Sequence, residues 1–282
     1  PKGPNSLSSL VKVFVTFRGY ENVICWDLYK AYNSVVTTPV EGHLRRMVWR
    51  FGNTSEEWKT FIFERMAFGD RPAGCALEVA KQMIFEEGEK ICPITAKIMK
   101  RGSYVDDSNG GGDEETIKLL MGERKNVDGH YFYDGTVSKI LAEGGMRPKV
   151  MVRSGETDPD VVGKLGERIL GVPWRPEDDT IPFNLSLNLS PKKLGEDWTV
   201  EDINKLEFGE VTKRMAVSGV YSIYDPIGLV SPLTIKYKIL LSEISQLELS
   251  WDDSLPPELA ARVKAVFMEL VEAGDIIFPR SV

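Results

Sequence analysis

The sequence predicts an α+β protein, with a mixed body over residues 1–185 and a mostly helical region over 186–282. Three observations carry this. Asn22-Val23-Ile24-Cys25-Trp26-Asp27-Leu28 is short, apolar and β-branched, which predicts a buried strand. Ala76, Leu77, Ala80, Met83 and Ile84 fall on one helical face. Leu259, Val263, Val266, Phe267, Leu270 and Val271 form a later apolar stripe, closed by Gly274.

The chain has 282 residues, of which 42% are apolar and 27% charged. That suffices for a sizeable core and excludes a chain too polar to collapse. Lys and Arg number 35 against 42 Asp and Glu, a formal charge of −7. The acidity is uneven, with residues 1–101 net basic and the remainder strongly acidic. A self-sufficient nucleic-acid binder would be basic overall, so any such contact needs a local patch or other segments of a longer polypeptide. Three cysteines, Cys25, Cys75 and Cys92, lie far apart. They predict a reducing cytoplasmic or nuclear setting over a disulfide framework. His43 and His130 are the two histidines, too few for a Cys/His zinc site, so a bound metal would be a hard cation on carboxylates. No apolar run of about 18 residues predicts a membrane span. The opening Pro1-Lys2-Gly3-Pro4-Asn5-Ser6 reads as a fragment start.

Val11 to Phe17 alternates as a strand would, but Leu7, Leu10, Val11 and Phe14 also fit one helical face, and a first helix is the preferred reading. Val40 to Phe51, with Arg45, Arg46 and Arg50, reads as surface, and Phe61 to Met66 as a strand. Asp70 and Pro72 suit the start of the next helix. Ile91 to Val105 reads as a strand pair or a strand with a tight turn following, and Ser108-Asn109-Gly110-Gly111-Gly112 as turn material. Two short helices are expected near 113–123 and 135–143, the second capped by Asp134 and stopped by Gly144-Gly145. Ile169 to Val172 and Ile181 to Leu185 predict a hairpin. Residues 186–200, with Ser190-Pro191 and Gly195, look like a linker, and Thr199 with Asp202 resembles a capping box.

Tyr104-Val105-Asp106-Asp107 carries the chemistry. Adjacent acids on an extended chain alternate in direction unless a turn places them. A further acid, Asp27, ends the predicted strand. If the two segments are neighbouring strands, Asp27 and Asp106 can converge, and a divalent cation would relieve their repulsion. Asp-Asp pairs also occur at 178–179 and 252–253, so the pair alone is weak.

The motif order adds to this. Tyr104-Val105-Asp106-Asp107 resembles the YxDD box of reverse transcriptases, and Asp27 to Tyr32 resembles that family's first catalytic motif. Phe68-Gly69-Asp70-Arg71-Pro72, Leu141 to Lys149, and Ile169 to Trp174 resemble its template-facing turn, its lysine motif and its primer-grip hairpin, in the family's order. Phe17-Arg18, Trp49-Arg50, Tyr224-Asp225-Pro226-Ile227-Gly228-Leu229-Val230-Ser231-Pro232 and Ser250 to Pro256 resemble the BEL/Pao retrotransposons more narrowly. The resemblance implies a palm, an antiparallel sheet with helices on one face, with partial fingers, followed by a thumb- or connection-like region. It implies an RNA-directed DNA polymerase that transfers a nucleotide from a dNTP to a primer 3′-hydroxyl on an RNA or DNA template. Asp27, Asp106 and Asp107 would hold two Mg²⁺ ions. Tyr32 would select the sugar, and Phe68, Gly69, Tyr104 and Val105 would face the substrate. Lys149 would sit by the leaving phosphates, and Gly171 and Trp174 would place the primer. An aromatic core residue, a surface lysine and a structural hairpin account equally for Tyr32, Lys149 and the Gly171–Trp174 segment. The resemblance also implies fingers and RNase H segments elsewhere on a polyprotein, the latter beginning near Phe278-Pro279-Arg280, and no membrane partner. A non-catalytic retroelement-derived binding or scaffold protein is the main alternative. A carboxylate Mg²⁺ hydrolase acting without a primer is the third.

Overall fold

The computed structural model describes residues 6–127, 130–165, 168–185, 187–189 and 196–282. The expected linker features Ser190, Pro191 and Gly195, and the opening Pro1 to Asn5, lie outside them. In chain order the first elements are α1 (Leu10–Gly19), β1 (Asn22–Leu28), α2 (Ala31–Ser34), α3 (Pro39–Gly42), β2 (Arg46–Trp49), β3 (Lys59–Ile62), α4 (Ala73–Gly88) and α5 (Pro93–Gly102). Then come β4 (Ser103–Tyr104), β5 (Asp107–Gly112), α6 (Glu114–Met121), β6 (Arg124–Val127), β7 (His130–Tyr133), α7 (Thr136–Glu143), β8 (Pro148–Arg153), α8 (Pro159–Leu165) and β9 (Arg168–Ile169). The chain ends with β10 (Val172–Pro173), β11 (Thr180–Asn184), α9 (Val200–Lys205), α10 (Lys213–Tyr221), α11 (Ser231–Ser245), α12 (Pro257–Ala273) and β12 (Asp275–Pro279). The architecture is α+β. One compact unit runs to Leu170 and adds Pro176–Asp179 and Ser281–Val282; the other comprises Gly171–Arg175 and Thr180–Arg280. None of the described helices is long and apolar enough to cross a membrane.

The first unit is organised by a four-stranded antiparallel sheet in the order β4-β5-β1-β8. Alternate residues of β1 and β8, namely Ile24, Trp26, Leu28 and Met151, enter one buried cluster. Leu77, Ile84 and Phe85 of α4, Ala96 and Met99 of α5, Ile117 and Leu120 of α6, and Val137, Ile140 and Leu141 of α7 complete it. The helices that contribute to this cluster therefore pack through apolar faces, as amphipathic patterning requires.

Two predicted elements are replaced. Ile91 to Val105 is not a strand pair, because α5 occupies most of it. Pro93 starts the helix where a missing N–H costs nothing, and Thr95, Ala96 and Met99 form its buried face. The β-branched Ile91 and Ile94, which suggest a strand, are exposed. Ser108 to Gly112 is not a turn but most of β5. Its glycines are required by close approach. A Cβ on Gly110 would lie 2.6 Å from Ile98 and 3.5 Å from the Trp26 ring, and one on Gly111 would lie 2.2 Å from the Asn22 carbonyl oxygen.

Smaller differences follow from local hydrogen bonds. Gly135, not Asp134, caps α7; the Asp134 carboxylate instead accepts the Glu123 N–H at 2.8 Å and pairs with Lys125. The α1 face that is buried is Val13, Phe14 and Phe17, while Leu7 and Val11 are exposed. The expected strand near 61–66 is β3, ending at Ile62 and paired with β2.

In the second unit, the expected hairpin is met only at its turn, where Arg175 and Thr180 bridge antiparallel through two backbone hydrogen bonds of 2.9 and 3.2 Å; beyond that bridge, β11 takes another partner. It pairs along its whole length with β12, a strand the sequence reading misses. Phe183 stacks edge-on against Phe278, with ring centroids 5.9 Å apart. Thr199 caps α9 through the capping box with Asp202. Ala260, Val263, Phe267 and Leu270 are the buried residues of α12, which ends at Gly274 with φ +58°.

The glycine strand yields a stability prediction. Gly111→Ala is expected to destabilise the protein by roughly 1–3 kcal/mol or more, because the methyl meets fixed backbone. Chemical denaturation of the two proteins measures it, and an unchanged midpoint refutes the close-approach account.

Candidate functional site

The acids are brought together by strand register. β1 runs antiparallel to β5 with Asp27 opposite Asp107. Directly opposed residues project from the same face, with Cβ atoms about 5 Å apart. Asp106 lies in the tight connection between β4 and β5, where Tyr104 pairs with Asp107. The Leu28 N–H donates to the Asp106 carbonyl at 3.3 Å, extending the β1–β5 pairing to the turn. Val105 enters that turn with φ +50°, left-handed space that a β-branched residue occupies at a cost of about 1–3 kcal/mol. Both Asp27 and Asp106 thus end on one edge of the sheet, but the residue facing Asp27 is Asp107.

Each neighbour leaves a mark on the carboxylates. The β1–β8 register slips between Asp27 and Leu28, which face Val150 and Pro148, so Lys149 is an extra, bulged residue. Its Nζ lies 3.4 Å from Asp27 Oδ2. Burial raises the Asp27 pKa, Lys149 opposes that rise, and Asp106 adds to it. Asp107 Oδ2 accepts the Leu170 N–H at 3.1 Å. Burial first, and then the charge of Asp106, push the Asp107 pKa up to about 6.

The Tyr32 ring packs edge-on against Phe68 with centroids 4.9 Å apart. Burial and then Asp106 raise the Tyr32 pKa, which places its hydroxyl in the field of the acid turn. Phe68 is 70% exposed, and Gly69 takes φ +85° beside it. Tyr104 and Val105 are part-buried in the turn itself. Gly171 and Trp174 belong to the second unit. There Gly171 turns with φ +81° against the Tyr224 ring, and Trp174 is buried.

Sequence reasoning misses two features of the first unit. Arg147 lies over the Tyr29 ring at 3.9 Å. Glu78 and Lys81, charged residues on the buried side of α4, lie behind the β4–β5 connection. The available signal is the interruption of the Leu77–Ile84 apolar stripe by two charges three residues apart.

Among the described residues, no group of three or more His, Cys, Asp or Glu side chains could hold a metal ion. The donor chemistry nonetheless suits a hard cation. Mg²⁺ is commonly held by one or two carboxylates, with water and substrate phosphates completing the shell. Asp27 and Asp106 supply such a pair, and a cation would offset both the burial and the neighbouring negative charge that raise the Asp27 and Asp107 pKa values.

The second unit uses its acids structurally. Asp225 accepts the Leu229 and Val230 N–H groups at 2.9 and 2.8 Å, which fixes the turn of the Tyr224–Pro232 stretch. Asp252 forks onto Arg214, and Asp253 accepts the Ser250 N–H. Glu243 pairs with Arg262 and Glu269 with Lys236.

Residues 212–282 match the family described as Pao retrotransposon-like RNaseH-like domain. No curated protein matches the chain. The family match supports a Pao/BEL retrotransposon origin. It overturns the expectation of an RNA-directed DNA polymerase, because the matched domain is RNase H-like and not a polymerase, and nucleotidyl transfer from dNTP has no support. The RNase H-like segment, expected to begin near Arg280, is instead the matched region itself.

The raised Asp107 pKa yields a prediction with a definite sign. A carboxyl that titrates near 6 when folded and near 3.8 when unfolded costs nothing below about pH 4 and its full amount above about pH 6. Asp107→Asn, which can still accept the Leu170 N–H, is therefore expected to stabilise the metal-free protein by about 1–3 kcal/mol at pH 7. The gain should shrink between pH 6 and pH 4 and vanish below. Urea denaturation across that range measures it; a pH-independent difference would refute the assignment.

Proposed function

We propose that the edge formed by Asp27, Asp106 and Asp107 binds a divalent cation, Mg²⁺ by preference, and acts with it on phosphodiester bonds of a nucleic acid. Hydrolysis is the reaction class, in keeping with the RNase H-like kinship of residues 212–282. The observation that carries the reading is the register of β1 against β5, which sets Asp27 across from Asp107 with Asp106 in the adjoining turn. The cation would supply charge at the phosphate. Asp27 and Asp106 would hold it, Lys149 would neutralise Asp27 in its absence, and Asp107 would release a proton as the site fills and take one up as it empties. Tyr32, which feels the charge of Asp106, forms an aromatic pair with the exposed Phe68, suited to stacking on a base or sugar.

The nucleic-acid part of the reading is supported by the β2–β3 ribbon. Every residue of both strands is exposed. Arg50 lies over the Trp58 ring at 4.4 Å, with Arg46, Trp49 and Lys59 alongside in the ribbon. Trp49 and Lys59 are opposed residues on one face of the ribbon, and exposed cationic and aromatic side chains together suit a phosphate backbone with stacked bases. Other segments of a retroelement polyprotein would act as partners. For the first unit we infer a fold kinship with a reverse-transcriptase palm, supported by its antiparallel sheet with helices packed through one cluster; this concerns ancestry alone.

The test measures binding and reaction separately. The 282-residue chain is expected to bind Mn²⁺ or Mg²⁺ in calorimetry and to cut a labelled RNA strand in an RNA·DNA hybrid only when the cation is present. Asp106→Asn should weaken the cation about tenfold or more and slow cleavage by ~10²-fold. Cleavage that survives Asp106→Asn, or a chain that neither binds the cation nor cuts, overturns the proposal.

A further inference from the structure

Behind the acid turn lies a buried polar chain. Lys81 on α4 is fully buried, and so, within a few per cent, are Glu78, Ser103 and Ser108. Lys81 Nζ stands 3.0 Å from Glu78 Oε2 and donates to Ser103 Oγ at 2.9 Å. Ser103 Oγ in turn lies 2.9 Å from Ser108 Oγ. Ser103 and Ser108 are opposed residues of β4 and β5, the two strands that the Val105–Asp106 connection joins. Ser8 reaches Glu78 Oε1 from the other side at 3.4 Å.

A buried ion pair is a poor way to stabilise a fold, since desolvating two charges offsets their attraction. Apolar residues at 78 and 81 would continue the Leu77–Ile84 stripe of α4 with less loss. Position gives the pair its use. The ammonium ties the helix to the first strand of the hairpin, and the two hydroxyls tie the strands to each other, one step below Tyr104 and Asp107. The turn stores backbone strain at Val105, so a second restraint is needed to keep it in one conformation. The field of Lys81 also reaches Asp106 and Asp107.

We propose that Lys81 is a positioning residue for the acid edge, acting through Ser103 and Ser108 to hold the Asp106–Asp107 turn in the geometry that receives a divalent cation. This rests on the cation-binding reading given above. Lys81 touches neither the acids nor any substrate. Its removal should therefore weaken the cation by letting the turn relax, even though losing a positive charge nearby would by itself strengthen it.

Three variants of the full chain test this. Lys81→Met combined with Glu78→Leu removes the ion pair without stranding a buried charge. Ser103→Ala keeps the ion pair and cuts the chain, and Ser103→Thr restores the hydroxyl. Mn²⁺ affinity and amide exchange over residues 103–112 are read for each. In Ser103→Ala, and in the double variant where it folds, exchange at the β4–β5 hairpin should quicken about tenfold relative to the β1–β8 pairing. Mn²⁺ should bind several-fold more weakly, with both effects reversed in Ser103→Thr. Unchanged hairpin exchange in Ser103→Ala overturns the proposal, as does tighter Mn²⁺ binding, which would make Lys81 a mere counter-charge. A wild-type chain that binds no Mn²⁺ refutes the cation site itself; the clamp on the turn is then decided by the exchange rates alone.

Discussion

The antiparallel register of β1 against β5 is the constraint on which the rest of the first unit depends. It sets Asp27 across from Asp107, leaves the Trp26 and Ile24 side chains on the helical side, and seats the acid turn at the sheet's end. A slip of one residue would exchange the two faces, turning Asp27 toward the helical cluster and Trp26 away from it. What pins the register is steric. β5 lacks side chains at 110 and 111, and the space they would need is filled by Ile98, the Trp26 ring and the Asn22 carbonyl. The placement of the acids is thus determined by packing at the opposite end of the same two strands.

Two lysines approach the acid edge. Lys149 comes from a bulge in β8 and is more than half exposed; Lys81 comes from α4 and is fully buried. The first is free to move away from Asp27 when another cation arrives. The second is held by Glu78 and Ser103 and cannot. One cation is exchangeable and the other fixed, an arrangement suited to a site that must both accept a metal and keep its shape. The segment that matches the RNase H-like family shows a different use of acids. Asp225, Glu243, Asp252 and Glu269 there serve turns and surface ion pairs around α10, α11 and α12. The chemistry proposed for the chain and most of the segment that matches the RNase H-like family therefore reside in different units.

Much of this was legible in the sequence, for physical reasons that can be named. β1 declares itself by an unbroken apolar run, α12 by its stripe and terminal glycine, and α9 by its reciprocal cap. α5 was concealed because its isoleucines face outward, so β-branched residues signalled a strand where Pro93 began a helix. β5 was concealed because glycine usually means a turn, and only three-dimensional crowding can require it in a strand. The pairing of Asp27 with Asp107, in place of Asp106, needs the register, which no spacing contains. Lys81 was passed over because a charge on an apolar helix face reads as an imperfection in the stripe. Motif order located the acids, but it does not specify a reaction, and the polymerase expectation fell on the RNase H-like match.

The β2–β3 ribbon has a consequence beyond recognition. It is a sheet of only two strands, exposed along its whole length, with Gly42 packed closely beside Ile62 at its base. Isolated two-stranded ribbons are marginal in water, so this one opens more readily than the four-stranded sheet. Arg46, Arg50 and Lys59 lie within or beside it. A trypsin-like protease would therefore cut readily here, leaving α1 and β1 held to the remainder of the first unit by the sheet and core alone.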